Sequence, residues 1–210
     1  MAEKLITIIG CGPGARECIT LEALEAARDA EVLVGSQRLL DLFADAVAHR
    51  IAIRGYRDEC YAAIDAHAHK KIAVLVTGDP GIASLATPII DRYGLDRCRI
   101  IAGLSSVQIA FARLGISWEG ARIFSAHAAL PSITDADLQN ERLIAVLTGN
   151  RDSLAWVAHL GAALGDGWRM VVAQDLTLET ESIMEIDSAR LTEFQAPLRA
   201  VVLLIRKEQQ

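Results

Sequence analysis

Short apolar runs alternate with amphipathic stretches along the first half of the chain. Leu5–Ile9 is rich in β-branched residues and runs into glycines, the pattern of a strand ending in a tight turn. Thr20 stands as an N-cap ahead of a helix over Leu21–Asp29, with Leu21 and Leu24 on one face. Glu31–Gly35 reads as a second strand, followed by a helix carrying Leu39, Leu40 and Phe43. Ile72–Thr77 is apolar without alternation, which marks a strand covered on both faces and hence a parallel sheet. A helix near Ile82–Tyr93, a strand at Arg99–Ala102 and a helix from about Ser105 to Leu114 continue the series. Strands and helices in such alternation predict an α/β domain with right-handed crossovers.

Gly115, Ser117 and Gly120, clustered around Trp118, interrupt this pattern. It restarts with strands at Arg122–Ala126, Leu143–Leu147, Met170–Ala173 and Ala200–Ile205, a helix at Ser153–Leu164 and a hairpin strand near Ser182–Ile186. The uninterrupted apolar run at Ala200–Ile205 suits a central strand buried on both sides. The expectation is two α/β domains, 1–116 with a mostly parallel sheet and 117–210 with a mixed one.

Composition narrows the classes. The 210 residues are 52% apolar and 23% charged, so the chain is globular rather than disordered. Its apolar runs reach only about seven residues, too short for a bilayer. The N-terminus shows no signal-peptide core, and a soluble cytoplasmic protein is expected. A formal charge of −6 with no basic stripe argues against nucleic acid, while a few local arginines would suffice for an anionic small molecule. Cys11, Cys18, Cys60 and Cys98 form no CxxC pair, and they read as small buried thiols in a reducing compartment. His49, His67, His69 and His159 fall in helical or loop contexts as surface residues, and no metal site is expected.

Chemistry, if present, belongs in the loops beyond the carboxyl ends of the strands. Gly10-Cys11-Gly12-Pro13-Gly14-Ala15 nominally fits a dinucleotide fingerprint. Against that, Pro13 removes an N–H from the loop, and the next helix starts late, near Thr20. No acidic residue follows the second strand to meet a ribose hydroxyl. A tight turn without a ligand is the plainer alternative. Thr77-Gly78-Asp79-Pro80-Gly81-Ile82 frames one carboxylate with two glycines and a proline; it is either an Asx-type turn or cap, or a carboxylate beside a cationic or hydroxyl-bearing ligand. Gly103-Leu104-Ser105-Ser106 opens a helix with two hydroxyls, as ordinary capping does. Thr148-Gly149, Gln174-Asp175-Leu176 and His127 end strands of the second half. GxSxG is absent and no cysteine neighbours a histidine, so no nucleophile–base pair stands out. Methyl transfer from a sulfonium is compatible with this poverty, since it needs mainly alignment and desolvation.

Taken together these loops resemble the motifs of the tetrapyrrole methylases over nearly the whole chain. Gly10–Gly14, Ile19–Ala23 and Ala30–Gly35 are similar to the family's opening, and Thr77–Pro80 and Gly103–Gln108 to its second and third motifs. Gly35–Leu40, Ser105–Gln108, Leu114–Trp118 and Leu147–Gly149 resemble the cobalt-precorrin-7 C5-methyltransferase branch, akin to the N-terminal half of precorrin-6Y C5,15-methyltransferases. The resemblance implies a tetrapyrrole methylase fold, with S-adenosyl-L-methionine folded between the two domains. It also implies methylation at C5 of a corrin precursor in cobalamin biosynthesis. C15 methylation and decarboxylation would then fall to a separate protein. Pro13, Thr77, Gly78, Asp79, Ile82, Ser105, Ser106, Thr148 and Leu176 match cofactor-contacting positions. Asp79 is also the candidate catalytic group. For the anionic tetrapyrrole, Arg16, Arg38 and His127 are the candidate contacts. A homodimer is implied too. Two departures stand out: Ala128-Ala129 where a glycine and an arginine are usual, and Gln174-Asp175-Leu176 in place of Glu-Asn-Leu. The alternatives are another tetrapyrrole methylase, of the uroporphyrinogen-III methyltransferase or diphthine synthase type, and a Rossmann-type NAD-dependent oxidoreductase.

Overall fold

A computed structural model of the chain describes residues 5–54, 57–138, 140–194 and 200–207. It separates into two compact units, Met1–Ser105 and Ser106–Gln210. The helix Ser106–Leu114 opens the second unit and buries its apolar face there.

The first unit carries strands β1 (Ile6–Gly10), β2 (Val32–Gly35), β3 (His49–Ala52), β4 (Ile72–Val76) and β5 (Cys98–Ile101), in the order β3-β2-β4-β1-β5. All pair in parallel, as the unalternated apolar strands require. Helices α1 (Leu21–Asp29) and α2 (Gln37–Asp41) cover one face, burying Ala23, Ala26, Ala27, Leu39 and Leu40 with Ile9, Leu33 and Leu75. Helices α3 (Arg57–Ala66) and α4 (Ala86–Tyr93) cover the other, burying Cys60, Ile64, Ala86 and Ile89 with Ile8, Val34 and Val74. The neighbours β1 and β4 therefore send their connections to opposite faces of the sheet. That divergence is a topological switch point, where an open α/β sheet leaves a crevice at its carboxyl edge.

Two details of the sequence expectation are corrected here. Thr20 does cap α1, its side chain accepting from Ala23 N at 3.1 Å. The inward face, however, is the alanine row and not Leu21, which is 79% exposed. Small side chains let the helix lie close to the sheet. His49 lies in the edge strand β3 rather than in a helix or loop, though it is exposed as expected.

The second unit begins with α5 (Ser106–Leu114) and holds β6 (Arg122–Ala126), β7 (Leu143–Thr148), β8 (Trp168–Gln174), β9 (Ser182–Ile186) and β10 (Ala200–Arg206). Their order is β6-β7-β10-β8-β9. β6 and β7 are parallel, and the other pairs are antiparallel, so the sheet is mixed as expected. β10 is central: Val202 and Leu204 face α6 (Arg151–Leu164) and α7 (Ser188–Glu193), while Val201 and Leu203 face α5. Because β6, β7 and β8 point the same way, their carboxyl ends share one edge, where Ala200 pairs with both Thr148 and Gln174. No helix among the described residues is long and apolar enough to cross a membrane.

Candidate active site

In the first unit, three of the sequence-predicted loops meet at the switch point. β1 and β4 end level, Gly10 opposite Val76, so their loops start side by side. Cys11 N donates to the Val76 carbonyl at 2.9 Å. Gly78 N donates to the Gly12 carbonyl at 2.8 Å and Gly12 N to the Gly78 carbonyl at 3.3 Å, a small antiparallel bridge between the loops. Both glycines are left-handed, with φ of 71° and 69°. A side chain at Gly12 would also run into the Cys18 carbonyl at 2.9 Å, whereas above Gly78 nothing among the described residues lies within 4 Å. The Gly78 backbone is thus bare on its open side, as close approach by a ligand demands.

The third loop is fastened to the other two. A Cβ on Gly103 would sit 2.4 Å from the Gly78 oxygen, and one on Gly10 would sit 2.6 Å from Gly103 N. Asp79 supplies the fastening: Oδ1 accepts from Gly81 N at 2.8 Å and Oδ2 from Gly103 N at 3.1 Å. The first contact is the Asx-type turn that the sequence allowed. The second reaches across to the loop after β5. The Asp79 carboxylate thus ties the two loops together through backbone amides, as a clasp.

Around this clasp, Thr77 is exposed, Ile82 half-buried and Pro13 buried. Arg38, on α2, donates from Nη2 to Thr77 Oγ1 at 2.9 Å, so its guanidinium stands at the carboxyl ends of β2 and β4. Arg16 turns elsewhere, to the Leu42 carbonyl at 2.6 Å and to Asp45 at 2.9 Å. Hydrogen bonds from Arg16 and Arg28 pull the Asp45 carboxyl down to about 2. Cys11 is a packing thiol: burial pushes it up to about 12, far from a nucleophile's range.

The common edge of the second unit carries His127, Thr148 and Leu176, at or just beyond the ends of β6, β7 and β8. A Cβ on Gly149 would lie 2.3 Å from Nδ1 of His127, so the histidine ring rests on that glycine. Thr148 is buried, its hydroxyl donating to the Ala200 carbonyl at 2.9 Å. Asn150 then caps α6, accepting from Ser153 N at 2.8 Å. Ser105 is buried and Ser106 is the first residue of α5. After β8, Leu176 is buried between Asp175 and Thr177, two residues with φ of 46° and 72°. Gln174 Oε1 is buried with no hydrogen-bond partner among the described residues, an orphan acceptor at the same edge.

Sequence reasoning missed the stitching of Gly10, Gly12, Gly78 and Gly103, the Arg38–Thr77 contact and the strain at Thr177. The recurrence of glycine in each strand-end loop was the available signal for the first. Nothing in the local sequence announces the other two.

The loop after β1 does not build a dinucleotide site. A 3₁₀ turn at Arg16–Cys18 intervenes, and α1 begins only at Leu21, so the glycines do not abut a helix N-terminus. The profile of the tetrapyrrole (corrin/porphyrin) methylases matches residues 5–192, and the chain belongs to that family. It is a methyltransferase, as the motifs implied. Within the family it is 32% identical over 180 residues to the cobalt-precorrin-7 C(5)-methyltransferase of Salmonella typhimurium, covering 85% of this chain and 89% of that relative. The precorrin-6Y methylase structure from Archaeoglobus fulgidus is 26% identical, with a TM-score of 0.73 and coverage of 98% of this chain and 100% of that one. A Thermus thermophilus uroporphyrin-III C-methyl transferase complexed with S-adenyl homocysteine shares the fold, with a TM-score of 0.74 at 17% identity over 95% of this chain and 96% of that one.

Proposed function

We propose that this methyltransferase uses S-adenosyl-L-methionine to methylate C5 of a corrin precursor, of the cobalt-precorrin-7 or precorrin-6Y type, in cobalamin biosynthesis. The observation that carries the reading is the 32% identity to a C5-methyltransferase over 85% of the chain. Within the first unit, the left-handed Gly78 backbone at the switch point supports close approach by a ligand there. We assign cofactor contacts to Pro13, Thr77, Gly78, Asp79, Ile82, Ser105, Ser106, Thr148 and Leu176. Bound there, the cofactor supplies an electrophilic methyl on a sulfonium. The chain's part is to hold and align it. Gly78 offers backbone, Thr77 a hydroxyl already oriented by Arg38, and Leu176 and Ile82 apolar packing. Asp79, fixed by two backbone amides, sets a carboxylate beside the site that favours a cationic neighbour. Alignment and exclusion of water are sufficient for such a transfer.

For the substrate carboxylates Arg38 is the arginine we favour, since its guanidinium reaches Thr77 at the carboxyl ends of the strands, whereas Arg16 reaches the Leu42 carbonyl and Asp45. His127 is a second candidate. We also propose a cytoplasmic homodimer and a separate protein for C15 methylation and decarboxylation. The test is turnover of cobalt-precorrin-7 with labelled S-adenosylmethionine, with calorimetry for S-adenosylhomocysteine. One methyl should appear at C5. Methylation at another ring position, or NAD binding in place of S-adenosylhomocysteine, would overturn the reading. Arg38→Ala should raise the KM for the tetrapyrrole by about tenfold or more, the scale of a lost charge-assisted hydrogen bond. The KM for the methyl donor should rise less, and Arg16→Ala should do little to either.

A further inference from the structure

The segment after β8 holds a backbone shape that its residues resist. Asp175 has φ of 46° and Thr177 of 72°. A β-branched residue in the left-handed region is a genuine outlier, and such conformations persist only where the surroundings over-determine them. Here the surroundings are specific. Leu178 N donates to the Asp175 carbonyl at 2.9 Å, and Glu181 N to the Leu178 carbonyl at 2.9 Å. Thr177 N donates to Glu181 Oε2 at 2.6 Å. Glu181 is gripped in turn by Arg113 of α5, with Nε to Oε1 at 2.7 Å and Nη2 to Oε2 at 3.3 Å. The fork comes from a rigid helix whose Val107, Ala110 and Phe111 share a buried cluster with Leu176.

We propose that Arg113 and Glu181 are positioning residues: they lock the Thr177 backbone in its left-handed conformation and so hold the neighbouring Leu176 in the place where it meets the cofactor, Thr177 itself making no contact with it. The inference rests on the reading above that Leu176 is a cofactor-contacting position. The Arg113 hydrogen bond, seconded by the Thr177 amide, holds the Glu181 carboxyl below the usual range, so the acceptor stays ionised at neutral pH. Two anchors meet on one carboxylate. One fixes its place and the other passes that place to the strained backbone.

Glycine adopts positive φ without help, so Thr177→Gly should make the clamp dispensable. The experiment compares the full chain with E181A, T177G and E181A/T177G. It reads S-adenosylhomocysteine affinity by calorimetry, amide exchange over 175–181 and melting temperature. E181A should speed exchange at 176–178 and weaken binding by about tenfold or more, the scale on which small misplacements act. T177G alone should bind like the parent, and the double variant should recover most of the affinity although the melting temperature stays low. A double variant as weak as E181A would overturn the clamp, because a general packing role is not rescued at 177. Exchange that follows the clamp, with affinity equal in all four proteins, would instead overturn the cofactor role given to Leu176. Should E181A not fold, E181Q with and without T177G makes the same comparison.

Discussion

Gly103→Ala is expected to pull the three loops apart, with loss of both stability and cofactor affinity. The added Cβ would lie 2.4 Å from the Gly78 oxygen and 2.7 Å from both C and O of Gly10. Every one of these is a backbone atom, so no side-chain rotation relieves the clash. Overpacking costs about 1–3 kcal/mol, and more where nothing can yield. In a chain of this size each kcal/mol lowers the melting temperature by about 2–4 °C. Calorimetric melting should therefore fall by several degrees or more, with S-adenosylhomocysteine binding lost. Gly78→Ala separates the two effects. It meets nothing within 4 Å among the described residues, so the stability cost is that of a left-handed alanine, about 1–2 kcal/mol. Its methyl would stand on the open side, where we place the ligand, so affinity should fall more than stability does. Gly167→Ala, with open space and no positive φ, should change neither. If Gly103→Ala melted and bound like the parent, the shared loop cluster would not be the cofactor's seat.

The framework was readable where burial is two-sided. Ile72–Val76 and Ala200–Ile205 lie in central strands, and stretches covered on both faces must be apolar at every position. One-sided elements were less legible. β3 lies at a sheet edge and carries exposed His49, so its four residues give no alternating or continuous signal. α1 misled, because its buried alanines are weaker markers than Leu21, which faces solvent. The loops showed their glycines but not what each glycine is for. Gly10 is constrained by Gly103, far along the sequence, and only the parallel pairing of β1 with β5 brings them together. The Thr177 strain is likewise imposed from α5, through Arg113 and Glu181, and not by the local sequence.

Asp79 is the sharpest case of a role that local sequence half-reveals, and it yields the other large expected effect. A catalytic base and a clasp predict different losses. Removal of a base lowers kcat and leaves cofactor affinity and folding nearly intact. Removal of the clasp leaves the Gly81 and Gly103 amides without their acceptors. The Gly103 amide is partly buried, and an unsatisfied buried donor costs about 1–3 kcal/mol. Asp79→Ala should thus lower the melting temperature by several degrees. It should also weaken S-adenosylhomocysteine by about tenfold or more, since the loop carrying Ser105 is no longer tied to the loop carrying Thr77 and Gly78. Asp79→Asn keeps one carbonyl oxygen and turns the other acceptor into a donor, so it should fall between the parent and the alanine variant on both measures. Graded losses in affinity and stability, with kcat at saturating methyl donor falling less, are the signature of the clasp. A fall in kcat alone, equal for Asn and Ala, would restore Asp79 to chemistry. The two outcomes differ because a hydrogen-bond acceptor survives in asparagine, whereas a base does not.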